Sequence, residues 1–168
     1  MQNTSRTTCV WILSSLLAVS LVAADDWPHY RGPEYTGTAP ADGLFQGRTF
    51  GFAVDWLRKL GSGYSSISVV GDVGVTMDSD GTSNMLMAFD TTTGKERWRY
   101  TIGPIYKGHS GSSDGPTSTP TISGNAVYAI DPHGVLVAVT LDEGKRLWRH
   151  KLGEDVTARV PHLSLIHI

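Results

Sequence analysis

The chain has one cysteine, Cys9, in 168 residues, and no run of basic side chains. A single thiol closes no disulfide within the chain, so its stability has to come from packing. Lys and Arg number 14 against 16 Asp and Glu, a net charge of −2. A nucleic-acid partner calls for a concentrated positive face, which this sequence does not write. Long apolar runs are missing too. Residues 10–22 form an apolar stretch broken by three serines, shorter than the roughly 20 residues that span a bilayer.

That stretch has a different reading. Residues 1–9 carry one charge, Arg6, and the apolar run ends in Val22-Ala23-Ala24 before Asp25-Asp26. A weakly basic start, a short apolar segment and small residues at a cleavage point describe a secretory signal peptide over residues 1–24, with a membrane anchor as the alternative. Cleavage after Ala24 would remove Arg6 and Cys9, leaving a cysteine-free chain of about −3 with no membrane span. The expected location is exported, periplasmic or extracellular, in a bacterium. At the other end, residues 163–168 read LSLIHI and break the pattern before them. That string resembles the translation of a sequencing-library adaptor, which would set His167 aside and make the chain the front of a longer product.

What the sequence has is repetition. AFDTTTGKERW at residues 88–98 returns as AVTLDEGKRLW at residues 138–148, an offset of 50. Upstream, SSISVVGDVGVTMD at 65–78 aligns with STPTISGNAVYAID at 118–131, an offset of 53. The three-residue difference lies between Asp78 and Leu86, where an insertion confined to a turn is expected. The ending W-x-x-x-[LI]-G occurs three times, from Trp56, Trp98 and Trp148.

Each unit reads as four short strands between turn signals. The first unit places them near 66–70, 73–77, 85–90 and 96–102, the second near 119–123, 126–130, 135–141 and 145–152. The third strand is apolar throughout, MLMAF and VLVAV, as in a strand covered on both faces. The fourth alternates: Trp98, Tyr100 and Ile102 on one side, Arg97, Arg99 and Thr101 on the other. Charges on an outermost strand discourage edge-to-edge pairing. A unit that runs from a buried inside to a solvated rim is a propeller blade, so the fold class is an all-β propeller of four-stranded antiparallel blades. Gly94 and Gly144 fall in the turn between the third and fourth strands, where positive φ suits glycine. Asp90 and Thr93 can hold that turn by hydrogen bonds. Trp98 is expected to lie against the neighbouring blade. An ordinary hairpin with a core tryptophan would explain one copy but not the recurrence.

The phrase A-x-D-x-x-T-G-K-x-x-W resembles the tryptophan-docking repeat of the pyrroloquinoline quinone (PQQ)-like β-propellers. The first copy matches at Ala88, Asp90, Thr93, Gly94, Lys95 and Trp98. The second keeps Ala138, Gly144, Lys145 and Trp148 but has Thr140 and Glu143 at the other two positions. DWPHYRGP at 26–33 and GYSS at Gly63 resemble the front of a secreted bacterial group of these proteins. The resemblance implies seven or eight blades. Residues 52–162 would then be a partial propeller of about two blades plus an outer strand at 52–61, after an N-terminal extension at 25–51. The family implies that 52–61 completes a blade begun by the C-terminus.

The resemblance implies two functional branches. One comprises PQQ-dependent alcohol and sugar dehydrogenases, with the quinone held by calcium over the axis and often a pair of adjacent cysteines. The other is a cofactor-free, BamB-like branch of binding scaffolds. The expectation is a cofactor-free binding or scaffold protein for a protein or small-molecule ligand. The dehydrogenase is the alternative, its catalytic residues lying outside this segment. PQQ with calcium enters only through the resemblance.

Three local features bear on chemistry. Asp78-Ser-Asp80-Gly-Thr-Ser-Asn84 carries oxygens that suit calcium but lacks the distal glutamate and length of a calcium loop, and as an inserted hairpin turn it needs no metal. The polar link 107–120 contains His109 and Asp114, the composition of a binding loop or of an ordinary one. His29, His133 and His150 are scattered without ligand spacing and are read as solvated. No residue is assigned a catalytic, cofactor-binding or metal role.

Overall fold

A computed structural model describes residues 26–39, 53–108 and 113–155. The expected leader at 1–24 with Cys9, residues 25 and 40–51 of the extension, His109 and the 163–168 tail with His167 lie outside the described residues.

Two four-stranded antiparallel sheets follow one another along the chain. Sheet 1 comprises β1 (Ser68–Val70), β2 (Val73–Ser79), β3 (Ser83–Asp90) and β4 (Glu96–Pro104), in sequence order across the sheet. Sheet 2 repeats that order with β5 (Thr121–Ser123), β6 (Ala126–Ile130), β7 (Val135–Thr140) and β8 (Arg146–Lys151). Each strand pairs with the next through a tight turn, the meander that a run of short strands and turn residues dictates. These are blades 1 and 2 of an incomplete propeller.

The sheets meet face to face, with β1 beside β5 and β4 over β7. Val75, Met77, Leu86, Ala88, Trp98 and Ile102 of blade 1 close on Ile122, Val127, Ala129, Val137 and Val139 of blade 2. Alternation on β4 works as its pattern implies: Trp98 and Ile102 are buried while Arg97 and Arg99 are on the other side of the strand. The inner strands β2 and β3 are buried nearly from end to end. Burial of both faces favours unbroken apolar sequence there, and the single-sided β4 favours alternation.

The three-residue insertion does not sit in the turn. β2 and β3 have 7 and 8 residues where β6 and β7 have 5 and 6, and their ladder runs on through Asp78↔Met85 and Ser79↔Asn84. The strands can lengthen because the tip is closed by one side chain. Asp80 Oδ1 accepts from Thr82 N at 2.8 Å, Ser83 N at 2.8 Å and the Thr82 hydroxyl at 2.7 Å.

Residues 53–61 lie against blade 1 without forming a strand, and Phe52 lies outside the described residues. The segment stands where a preceding blade's outer strand would stand, but it forms no ladder of its own. Its links are the single bridge Ser62↔Ser79, the bond from Gly61 N to Asp78 Oδ2 at 3.0 Å, and side chains. Trp56 stands edge-on to the buried Phe89, at 5.7 Å between ring centroids.

Candidate functional site

The repeated phrase builds one joint, and the structure contains it twice. In blade 1 the turn after β3 is closed by main-chain bonds from Asp90 N to Lys95 O and from Gly94 N to Asp90 O, both 2.8 Å. Gly94 has φ of +67°, a conformation that costs other residues strain. The blade 2 turn has the same bonds, Thr140 N to Lys145 O at 2.8 Å and Gly144 N to Thr140 O at 3.0 Å, with Gly144 at +66°.

Each glycine is also a seat for an indole. A Cβ on Gly144 would stand 2.6 Å from the Trp98 ring, and one on Gly94 would stand 2.5 Å from the Trp56 ring. Each indole N–H finds a carbonyl three residues before that glycine: Trp98 Nε1 donates to Leu141 O at 2.8 Å, and Trp56 Nε1 to Thr91 O at 2.9 Å. A buried indole thus keeps its polar atom satisfied while its apolar face covers turn backbone. Ala88 and Ala138, both wholly buried, stand opposite Trp98 and Trp148 in their ladders. Directly after each alanine the register shifts, at Ala88/Phe89 and Ala138/Val139. A bulge there re-aims the strand carrying the tryptophan. Arg58 adds to the first joint, donating to Gly94 O at 3.0 Å and pairing with Glu96.

The two turns differ in side chains. Asp90 Oδ1 accepts from Thr93 N and the Thr93 hydroxyl, both at 2.9 Å, and from Thr92 N at 3.1 Å, while Oδ2 takes Arg97 at 2.7 Å. Arg97, with Thr93 behind it, holds the Asp90 carboxyl down to about 2, and Asp72 and Asp90 together raise the guanidinium. In blade 2 the Thr140 hydroxyl accepts from Lys145 N at 3.2 Å, and Asp142 is lowered chiefly by its bond to Thr140.

At the opposite end of the strands the polar residues singled out from the sequence are held by structural bonds. Asp78, nearly buried, accepts from Arg99 Nη1 at 2.8 Å and Gly61 N. Asn84 donates to the fully buried Asp131 across the blades at 3.3 Å and accepts from Tyr106 N at 3.3 Å. Asp131 also caps its own turn, accepting from His133 N at 3.0 Å and Val135 N at 2.9 Å. His133 is not simply solvated, since its Nδ1 lies 3.3 Å from Asp131 Oδ2 and its ring meets Tyr106 edge-on. His29 stacks on Tyr35, and His150 lies 3.3 Å from Asp155. Asp114 pairs with Lys107 at 2.7 Å, which lowers its carboxyl. Nothing in the sequence repeat marks the Asn84–Asp131 link, because the two residues occupy different blade positions.

These residues do not fit a calcium–quinone site. The carboxylates of Asp78, Asp80, Asp90 and Asp131 are turned into backbone turns or onto arginines. Among the described residues no three His, Cys, Asp or Glu side chains converge as a metal site would require. No helix among them is long and apolar enough to cross a membrane.

A family model described as "Outer membrane protein assembly factor BamB" matches residues 51–168, more than two thirds of the chain. The chain is similar to the quinate/shikimate dehydrogenase (quinone) of Acinetobacter baylyi, 33% identical over 64 residues, covering 38% of this chain and 8% of the relative. Among solved structures it is similar to BamB from Moraxella catarrhalis, with 24% identity and a TM-score of 0.37 over 54% of this chain and 23% of that one. The quinohemoprotein alcohol dehydrogenase from Comamonas testosteroni gives 18% identity and a TM-score of 0.48 over 77% of this chain and 20% of that one. The chain therefore spans between 8% and 23% of the length of these relatives.

Proposed function

The chain belongs to the PQQ-like repeat family, and from that membership we propose that it is part of an exported β-propeller acting as a cofactor-free binding or scaffold protein. The observation that supports the propeller architecture of this reading is the docked joint. Its chemistry is wholly structural: an indole on a glycine, an N–H on a carbonyl, a carboxylate closing a turn. Joints of this kind stack blades into a stiff ring whose loops can present a protein or small-molecule ligand. The carboxylates of Asp78, Asp80, Asp90 and Asp131 hold hairpins, an arginine and the blade 1–blade 2 contact. The leader at 1–24, with cleavage after Ala24, delivers the protein to the periplasm or beyond.

A second reading has one observation in its favour, the 33% identity over 64 residues to a quinone-dependent dehydrogenase. In that reading the quinone supplies the redox chemistry and residues outside this segment hold it. Full-length protein incubated with PQQ and calcium, then assayed for dye reduction with quinate, shikimate and simple alcohols, separates the two. The scaffold reading expects no turnover and no quinone retained on gel filtration. Substrate-dependent dye reduction would overturn it.

A further inference from the structure

Residues 26–28 precede both blades and have no counterpart in the repeat, yet they bond to the main chain of each. Trp27 N donates to Val69 O and Val69 N donates to Trp27 O, both at 2.8 Å, an antiparallel bridge on the edge of β1 away from β2. One residue on, Pro28 O accepts from Ile122 N of β5, again at 2.8 Å. One residue back, Asp26 Oδ1 accepts from Gly71 N in the β1–β2 turn, also at 2.8 Å. Three consecutive residues therefore address a turn and an edge of blade 1 and an edge of blade 2.

The match is chemical as well as geometric. Proline has no N–H, so at position 28 it can only accept, and the bond it makes is the accepting one. The segment is held from behind by its own loop. Gly32, at φ +71°, lies so close under the Trp27 ring that a Cβ there would stand 2.7 Å from it. The loop closes through Gly32 N to His29 O at 3.0 Å, Tyr35 N to Gly32 O at 3.0 Å and Gly37 N to Arg31 O at 2.9 Å. Beneath the segment the chain entering β1 is already tied to the chain entering β5, by Ser68 Oγ to Pro120 O at 2.5 Å and Ser66 N to Thr119 Oγ1 at 3.0 Å.

We propose that the edges of β1 and β5 together form a binding site for an extended peptide, filled in cis by Asp26-Trp27-Pro28. The occupant is a strand-like segment offering an N–H and C=O pair at one residue and a carbonyl alone at the next. Its occupancy has two effects. It clasps the inner ends of both blades, and it masks strand edges that would otherwise pair with foreign chains. This inference stands whether the protein is a scaffold or a dehydrogenase.

Amide hydrogen exchange in the full chain, read residue by residue by NMR, tests it. In the unaltered protein Gly71, Val69 and Ile122 should be protected, although none of these amides bonds within its own sheet. Trp27→Pro removes the N–H and the indole, and should speed exchange at Val69 and Ile122 at least tenfold while Val75 and Val137 keep their protection. A synthetic peptide of residues 25–39 added to that variant should restore protection at both sites. Open-amide exchange at Val69 and Ile122 in the unaltered protein would overturn the proposal, as would protection that Trp27→Pro leaves unchanged. Should Trp27→Pro unfold the chain, Asp26→Ala takes its place. It should speed exchange at Gly71 and Val69 with the β2–β3 ladder intact, and no change there contradicts the clasp.

Discussion

Trp98 of blade 1 and Trp148 of blade 2 occupy the same repeat position, each opposite a buried alanine and each beside the same bulge. Trp98 is 8% exposed, seated on Gly144 with its N–H on Leu141. Trp148 is half-buried, with the rings of Tyr128 and His150 from its own blade beside it at 6.0 and 5.4 Å. The wider surroundings differ in the same way. Blade 1 is covered on one face by residues 53–61 and on the other by blade 2, whereas Tyr128, beside Trp148 on blade 2, is 37% exposed. The motif thus writes an aim and a seat. Burial comes from whichever neighbour supplies the glycine turn.

The sharpest way to break this comparison is to remove each indole. Trp98→Ala should cost about 3–5 kcal/mol, the range for deleting a buried aromatic, whereas Trp148→Ala in the same chain should cost about 1 kcal/mol, in line with partial burial. Urea unfolding of both variants checks the pair, and equal losses would dissolve the distinction. Filling the seats comes next. Gly144→Ala and Gly94→Ala each force a Cβ into an indole at positive φ and should cost about 2–4 kcal/mol. Gly124→Ala, also at positive φ but with nothing within 4 Å of the new Cβ, should cost about 1 kcal/mol. Thermal unfolding of the three variants would expose any failure of that order.

The smallest effect concerns the side chains of the two turns. The Asp90 carboxyl is depressed from 3.8 to about 2 by Arg97 and Thr93. A depressed carboxyl stabilises fully above its unfolded value and loses that contribution as pH falls through its folded one. The blade 1 turn should therefore keep its advantage above about pH 4 and shed it toward pH 2. Asp90→Asn should abolish this dependence. Carboxyl-carbon NMR titration measures it, and a midpoint for Asp90 near 3.8 would contradict the assignment.

The repeat made much of this legible. Periodic glycines, the alternation on β4 and the apolar β3 and β7 specified two consecutive meanders, and Asp90 and Thr93 hold their turn as their chemistry implied. Four features escaped for physical reasons. The insertion after Asp78 was expected to be confined to a turn but extends two strands, because the cap by Asp80 depends on the final geometry of the tip. Residues 52–61 carry a strand's side-chain pattern, yet 53–61 dock through Trp56 and Arg58, since a ladder requires a partner strand that side-chain pattern cannot supply. The Asp26–Pro28 contact with Val69 and Ile122 is made by backbone, which leaves no compositional trace. The Asn84–Asp131 bond joins unlike repeat positions, so no alignment of the two units could show it.

The seating of Trp98 on the turn of the next blade is most directly tested by NMR of the folded protein. Nuclear Overhauser contacts between the Trp98 ring and the Gly144 α-protons, an upfield shift of those protons relative to Gly124, and a slowly exchanging Trp98 indole N–H are the expected result. A freely exchanging indole N–H with no ring contact to Gly144 would contradict the account.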